Sequence, residues 1–585
     1  MNAIVNSAAD GTGSSADEQQ RRVQRALRAQ LATVTGGLAP DVYVGAWWDW
    51  LLNLSKAPPA QLRIMQDAIG RTLEASTFAL RAAGSAPLAP TTAGGPFAAS
   101  GWAQWPYNVY AHNFLQFSEF WRSAVENVPG VAPEHGRTLD FLARNAFETV
   151  SPANYLATNP ELMEATRAEA GENLIRGFGF WLEDIQQAIG GKKSAGAPFV
   201  VGRDLAATPG KVVMRNDLVE LIQYASSTTT VQREPVLIVP AWIMKFYILD
   251  LSARNSLVRF LVAKGHTVFI LSWKNPVAAD RDLGMDDYLR LGIRASIDAV
   301  SRILPRQRIH AAGYCIGGTL LSIATARLAA EGDRRLASMT LLAAQQDFSE
   351  PGELSLFVSP SQIDMLEAVM SRAGVLTSEQ MGGAFALLRS RDLLWTPALN
   401  TYVRGKRETP NDLMAWNADG TRMPCRMHTE YLRGLYLDNA LAKGDFVAEG
   451  KKVDLSVIRL PMFVVGTETD HVAPWQSVYK ARGLTRSADY TFCLTSGGHN
   501  AGIVSGPVHP RRRHRLGTWK NATDNSPAQE WLAANAPSPG SWWPVWEQWL
   551  TQHSTPARVL ARSVGSAAAG YPPLDAAPGK YVLEK

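Results

Sequence analysis

Arg308-Ile-His-Ala-Ala-Gly-Tyr-Cys-Ile-Gly-Gly-Thr-Leu-Leu321 is the stretch whose reading decides the fold. Its first apolar residues, Ile309 to Ala312, have the composition of a short buried strand, and the apolar pattern from Thr319 to Ala330 is that of a helix. Between them stands Gly313-Tyr-Cys-Ile-Gly317, with a glycine on each side of a cysteine. A nucleophile held on a sharp strand-to-helix turn requires this, because a Cβ at either flank would run into neighbouring backbone. The same turn sets Cys315 at a helix N-terminus, where the dipole and free N–H groups favour negative charge.

Outward from that turn the chain alternates strands and helices. Pro235-Val-Leu-Ile-Val-Pro240 and Thr267-Val-Phe-Ile-Leu-Ser-Trp273 read as buried strands before it, with a helix over Ser256 to Lys264. Further strands are predicted at Ser338 to Ala344, Pro461 to Gly466 and Tyr490 to Thr495. Such alternation implies a mostly parallel sheet covered on both faces. A Gly-x-Cys-x-Gly turn within it is the nucleophile elbow of the α/β-hydrolase fold, with Cys where most members carry Ser. That fold supplies its acid after a late strand and its His after the last. Asp470 follows Met462-Phe-Val-Val-Gly-Thr467, and His499 follows Tyr490-Thr-Phe-Cys-Leu-Thr495, so the triad is read as Cys315, Asp470 and His499. Glu468 is the rival acid, and His471 is expected to hold the acid loop. The oxyanion hole is assigned to the backbone N–H of Ile316 and to one from the loop after Val239, at Trp242 or Ile243, with Ile243 preferred. His509 and His514 are expected at the surface, within a solvated basic loop around Arg511-Arg-Arg-His-Arg515.

At 585 residues the chain exceeds one ordinary domain. Residues 1–20 are expected as a disordered tail, 21–81 as a helical module, 82–101 as an Ala/Gly/Pro/Thr-rich linker and 102–198 as a helical domain. Residues 199–585 form the catalytic domain, with a cap inserted at about 350–446 that is too long to be a loop. The fold class is therefore an α/β-hydrolase fold with an inserted cap, preceded by a mainly helical N-terminal region. The stripe Trp47, Trp48, Trp50 is read as a helix-packing core, with a partner or granule-binding face as the alternative. A linker at 82–101 implies that removing residues 1 to about 95 leaves a folded remainder.

A net charge of +5 is small for this length and argues against nucleic acid as the main partner. The three cysteines, Cys315, Cys425 and Cys493, make no disulfide framework and suit a reducing cytoplasm. No signal core and no transmembrane segment are read. No metal pattern or phosphate loop occurs, and no cofactor is expected. A thiol that accepts an acyl group from a thioester makes another thioester, so its activation is preserved until a hydroxyl takes it. Cys315 thus favours acyl transfer over hydrolysis.

Pro240-Ala-Trp-Ile-Met-Lys-Phe-Tyr-Ile-Leu-Asp-Leu251, Gly265-His-Thr-Val-Phe-Ile-Leu-Ser-Trp-Lys-Asn-Pro276, Gly313-Tyr-Cys-Ile-Gly-Gly318, Trp416-Asn-Ala-Asp-Gly-Thr-Arg-Met-Pro424 and Gly540-Ser-Trp-Trp-Pro544 occur in this order. Together they resemble the poly(3-hydroxyalkanoate) synthases of the class I type, from about Trp102 to Trp549. The resemblance implies transfer of (R)-3-hydroxyacyl groups, 3-hydroxybutyryl foremost, from coenzyme A to a growing polyester, with coenzyme A as a product rather than a cofactor. It implies catalytic roles for Cys315, Asp470 and His499, and it makes Trp416, Arg389 and His471 substrate-binding candidates. A homodimer in the cytoplasm, on polymer granules and among granule-associated proteins, is implied as well. The chain departs from the family where Asn500 follows His499 and where Ser505-Gly-Pro507 stands in place of Asn-Pro-Pro. The competing readings are an intracellular polyester depolymerase or thioesterase of the same fold, and a non-catalytic granule scaffold.

Overall fold

Apolar runs of four to seven residues become strands wherever both faces can be covered, and this governs the larger part of the chain. The computed structural model describes residues 28, 39–84, 87–89, 95–190, 199–521 and 526–585. They fall into two compact units, one of 199–381 and 410–585, the other of 39–190 and 382–409. The expected tail at 1–20 lies outside the described residues, as do 85–86 and 90–94 of the expected linker.

In the first unit ten strands form one sheet among the described residues. In chain order they are β1 Gly210–Arg215, β2 Val219–Tyr224, β3 Val236–Val239, β4 Val268–Trp273, β5 Ile309–Tyr314, β6 Leu336–Leu342, β7 Met462–Thr467, β8 Tyr490–Thr495, β9 Arg513–Trp519 and β10 Ser538–Pro539. Their spatial order is β1-β2-β4-β3-β5-β6-β7-β8-β9-β10. The six strands from β4 to β8 run parallel, and antiparallel pairs close both edges. The side-chain period of two sorts the strands onto two cores. Leu237, Val239, Ala311, Leu341 and Val464 enter one, while Val236, Ile238, Ala312, Tyr314, Leu342 and Val465 enter the other. The second core is closed by the buried indoles of Trp542, Trp543, Trp546 and Trp549. Buried His310 within β5 is satisfied on both sides, by Ser338 Oγ at 2.7 Å and Ser554 Oγ at 3.0 Å. Burial pushes its pKa down to about 3, so it stays neutral.

The segment between β6 and β7 does not behave as one insertion. Residues up to 381 and from 410 belong with the sheet, where Met427, Tyr431, Leu435 and Phe446 join the first core. Residues 382–409 belong instead to the helical unit. There Tyr402 donates to Asp184 at 2.9 Å, Asn173 donates to the Val403 carbonyl at 2.9 Å, and Arg391 pairs with Glu148 at 2.9 Å.

The helical unit begins with α1 Pro40–Ser55 and α2 Pro58–Ala83, which were expected to stand apart as a module. They pack directly on α3 Tyr107–Val125 and α4 Pro133–Val150. Ala46 is buried with Val125 and Leu139, and the Trp50 indole donates to the Ala124 carbonyl at 3.1 Å. Asp49 accepts from the Ala132 N–H at 2.9 Å and from His135 at 2.7 Å. The expected linker is partly structural too, because Phe97 and Trp102 stack edge to face in a small buried cluster. Of the tryptophan stripe, Trp50 is half-buried against α3, while Trp47 and Trp48 are 44% and 56% exposed. No helix among the described residues is long and apolar enough to cross a membrane.

These contacts reverse the expectation for truncation. Deleting residues 1–95 uncovers Val125 and Leu139 and leaves the Ala132 N–H without Asp49. The shortened protein is expected to lose at least ~5 °C in the melting midpoint of its helical unit, as read by scanning calorimetry. An unchanged midpoint would make the α1–α2 contacts energetically idle.

Candidate active site

Cys315 sits between β5 and the helix α5, Ile316–Ala330, with φ 53° and ψ −132°. A non-glycine residue in that region is strained and persists only where packing imposes it. The packing is visible at the glycines. A Cβ on Gly313 would stand 2.3 Å from Gly318 Cα, and one on Gly317 would stand 2.5 Å from the carbonyl oxygens of both Val239 and Pro240. The strand, the helix and the loop after β3 therefore meet backbone to backbone. The Cys315 N–H donates to the Leu342 carbonyl at 2.9 Å, which locks the turn onto the end of β6.

The acid and the base lie beyond the C-terminal ends of β7 and β8, which pair in parallel register from Met462 with Tyr490 to Thr467 with Thr495. His499 Nδ1 meets Asp470 Oδ2 at 2.8 Å. Thr467 donates to the same oxygen at 2.7 Å, and the N–H groups of Val472 and Ala473 donate to Oδ1 at 2.9 and 2.8 Å. Burial works against the Asp470 carboxylate, but the His499 charge and these donors outweigh it and hold the carboxyl below its ordinary value. Burial likewise works against the imidazolium. The Asp470 charge, and after it the charge of Cys315, hold His499 well above its ordinary value. Asp470, His499 and Cys315 are thus electrostatically coupled.

Glu468, the rival acid, pairs with Arg513 at 2.7 Å. Thr467, Val472 and Ala473 hold the acid loop, the role expected of His471, whose carbonyl accepts from the Glu353 N–H at 3.1 Å. Ile316 is the first residue of α5, where an N–H has no intrahelical partner. Thr421 donates to the carbonyls of Trp242 and Ile243 at 2.9 and 2.5 Å, so both candidates for the second donor are pinned. Trp416 is buried and donates to the Lys245 carbonyl at 2.8 Å, and in that place it braces the loop after β3. Arg389 lies in the helical unit and pairs with Asp392.

The basic run at 511–515 is not a loop. Its latter part opens β9, in which His514 is buried with Nδ1 at 3.1 Å from the Gly540 carbonyl. His509 meets Asn255 Oδ1 at 2.8 Å and is likewise engaged rather than free in solvent. Sequence reading also passed over Tyr431 and Tyr436 of the insertion. Both are raised by burial first; Tyr436 raises Tyr431 further, and the Cys315 charge acts on both, which sets their hydroxyls near Cys315. Nor did it find the Tyr314 hydroxyl, which donates to Asn500 Oδ1 at 2.6 Å, although Asn500 stood out as a departure from the family pattern. Among the described residues no group of three or more His, Cys, Asp or Glu side chains is arranged to hold a metal ion.

Comparison with known proteins fits this geometry. Residues 95–261 match the model of the poly-beta-hydroxybutyrate polymerase N-terminus, 18–59 match that of a second N-terminal region of the same polymerases, and 234–505 match the alpha/beta hydrolase fold. The poly(3-hydroxyalkanoate) polymerase of Methylorubrum extorquens is 39% identical over 92% of this chain and 88% of its own length. The polymerase subunit of Rhizobium meliloti is 34% identical over 95% of this chain and 92% of its own. That of Cupriavidus necator is 34% identical over 91% and 90%. With relatives this similar along almost their whole length, the chain belongs to the poly(3-hydroxyalkanoate) polymerase family and is an acyltransferase of that kind.

Proposed function

We propose that the chain transfers (R)-3-hydroxyacyl groups, 3-hydroxybutyryl foremost, from coenzyme A to a growing polyester through a thioester on Cys315. The carrying observation is the 2.8 Å contact of Asp470 with His499, whose charged form the nearby Cys315 sulfur also favours. In the loading step His499 takes the thiol proton and the sulfur attacks the thioester carbonyl. The N–H groups of Ile316 and Ile243 stabilise the oxyanion, and coenzyme A leaves with that proton. In the elongation step a 3-hydroxyl gives its proton to His499 and its oxygen attacks the Cys315 thioester. The sulfur departs and recovers the proton. Asp470 stabilises the imidazolium that elongation requires, whereas loading needs only a thiolate at the helix N-terminus. Coenzyme A enters only as part of the substrate. Work as a homodimer at the surface of cytoplasmic polymer granules belongs to the same reading.

The test is purified full-length protein with 3-hydroxybutyryl-CoA, following free thiol and polymer together. Both are expected, and Cys315→Ala is expected to lose both along with any labelled acyl adduct. Thiol without polymer would make the chain a thioesterase.

The two half-reactions ask different things of Asp470. Asp470→Asn is expected to keep acylation within ~10-fold of the wild type while steady-state thiol release falls at least ~100-fold, since only elongation needs a strong base for an alcohol. Equal losses in single-turnover acylation and in steady-state release would contradict this division.

The pair also carries a pH signature. The depressed Asp470 contributes stability above its unfolded value near 3.8, lost as pH falls through the folded value. The raised His499 contributes stability that is complete below its unfolded value near 6.5 and is lost as pH rises through the folded value. The melting midpoint of the wild type is therefore expected to exceed that of His499→Gln by more at about pH 6 than at about pH 9. A gap that widened with pH would reverse the sign of the His499 shift.

A further inference from the structure

Tyr314 and Asn500 are the chain neighbours of the two reacting groups, one preceding Cys315 and the other following His499. The Tyr314 hydroxyl donates to Asn500 Oδ1 at 2.6 Å across 186 residues of sequence. We propose that this hydrogen bond is a latch that fixes the His499 imidazole against the Cys315 sulfur, making Tyr314 and Asn500 positioning residues for the transfer. The role named for them rests on the reading of Cys315 and His499 given above.

Three observations carry the inference. First, Asp470 restrains the imidazole only at Nδ1, and a single hydrogen bond leaves the ring free to tilt about it. The Tyr314 ring supplies the second restraint, lying 5.7 Å from the imidazole centroid at an interplanar angle of 34°. Second, Tyr314 is only 3% exposed, so its hydroxyl has little recourse to water. A buried hydroxyl left without an acceptor costs about 1–3 kcal/mol, and Asn500 supplies the acceptor. Third, the loop beyond Asn500 is already fixed by other means. The Asn500 carbonyl accepts from the N–H groups of Ile503 and Val504 at 3.1 and 2.9 Å. The indoles of Trp542 and Trp543 donate to the carbonyls of Gly502 and Ile503 at 3.0 and 2.9 Å. The Asn500 backbone is therefore anchored to the Trp-rich core, and its side chain ties that anchor to the last residue of β5. The link closes a ring from the nucleophile's strand through Tyr314, Asn500 and His499 back to Cys315.

A bond that merely stabilised the loop would change melting without changing the relation of base to thiol. The test therefore reads that relation directly. Tyr314→Phe, Asn500→Leu and the double variant are made in the full-length protein. The rate at which iodoacetamide alkylates Cys315, located by peptide mass spectrometry, is followed against pH. The titratable groups facing His499 are Asp470, Cys315 and Tyr314, and those facing Cys315 add Tyr431 and Tyr436, all retained in Asn500→Leu. Each single variant is expected to displace the alkylation profile along the pH axis and to slow coenzyme A release about 10-fold. The double variant is expected to be no worse than the worse single, because both remove the same interaction. Tyr314→Phe deletes one oxygen and keeps the ring, so it reports even where Asn500→Leu disturbs the loop. Wild-type alkylation profiles in both single variants, or losses that multiply in the double, would overturn the latch. Alkylation needs no polymer synthesis. A displaced profile in a chain that made no polymer would uphold the latch and remove the proposed reaction instead.

Discussion

Three pieces of backbone pass one another at the centre of this molecule with no room for a side chain between them. Strand β5, helix α5 and the loop after β3 meet at Gly313, Gly317 and Gly318. That contact holds Cys315 at φ 53°, a conformation a cysteine does not adopt unforced. The helix N-terminus, the turn that bears the half-buried thiol and the nearness of the loop after β3 all follow from it. Closeness of this order cannot be reached by adjusting side chains, so the surrounding sheet must be stiff. The apolar strands on either side of β5, buried on both faces, supply the stiffness.

The sheet then does the geometric work of bringing distant residues together. Parallel strands end on one side, so the loops after β5, β7 and β8 share an edge although they lie up to 29 and 184 residues apart from His499 to Asp470 and Cys315. Trp542 and the Trp-rich helix Trp543–Gln552 that follows it brace the sheet and the loop after β8 through indole hydrogen bonds to Gly502, Ile503 and Thr340. The motif from Trp416 to Pro424 fastens the loop after β3 through Lys245, Trp242 and Ile243. Both motifs are distant in sequence from the groups they steady. Apart from the Thr340 hydroxyl, the groups they occupy are carbonyl oxygens, which leaves the positions of the loops defined.

The sheet and the elbow were legible because their signals are local. An unbroken apolar run and a Gly-x-Cys-x-Gly turn carry their meaning within a dozen residues. Strand order predicts that Asp470 and His499 meet, as their 2.8 Å contact has it, and Glu468, earlier on the same loop, pairs instead with Arg513. Strand β9 was hidden because an antiparallel strand near the sheet edge is half wet, and its exposed Arg513, buried His514 and half-buried Arg515 read as a charged loop. The linker misled for a similar reason. Ala, Gly and Pro are compatible with flexibility but do not require it, and near the end of the stretch Phe97 is buried against Trp102. Tyr314 with Asn500, and Thr421 with its two carbonyls, depend on pairings across more than 170 residues that no local pattern encodes.

The division of the segment between β6 and β7 bears on how the chain is born. The helical unit contains residues 39–190, yet Tyr402, Val403 and Arg391 supply hydrogen bonds to Asp184, Asn173 and Glu148. Those partners leave the ribosome some two hundred residues after the helices that need them. Meanwhile β1 to β6 have emerged, and they in turn await β7 and β8 from beyond residue 460. Neither unit can therefore be completed before the other has begun. An N-terminal half cut anywhere between about 200 and 380 has the small clusters around Trp102 and Leu139 but lacks residues 382–409 and the strands β7 and β8, and during synthesis it presents apolar helix and strand faces together. Maturation of this chain is consequently a single late event rather than a succession of domains, and its demand for chaperones falls in that window.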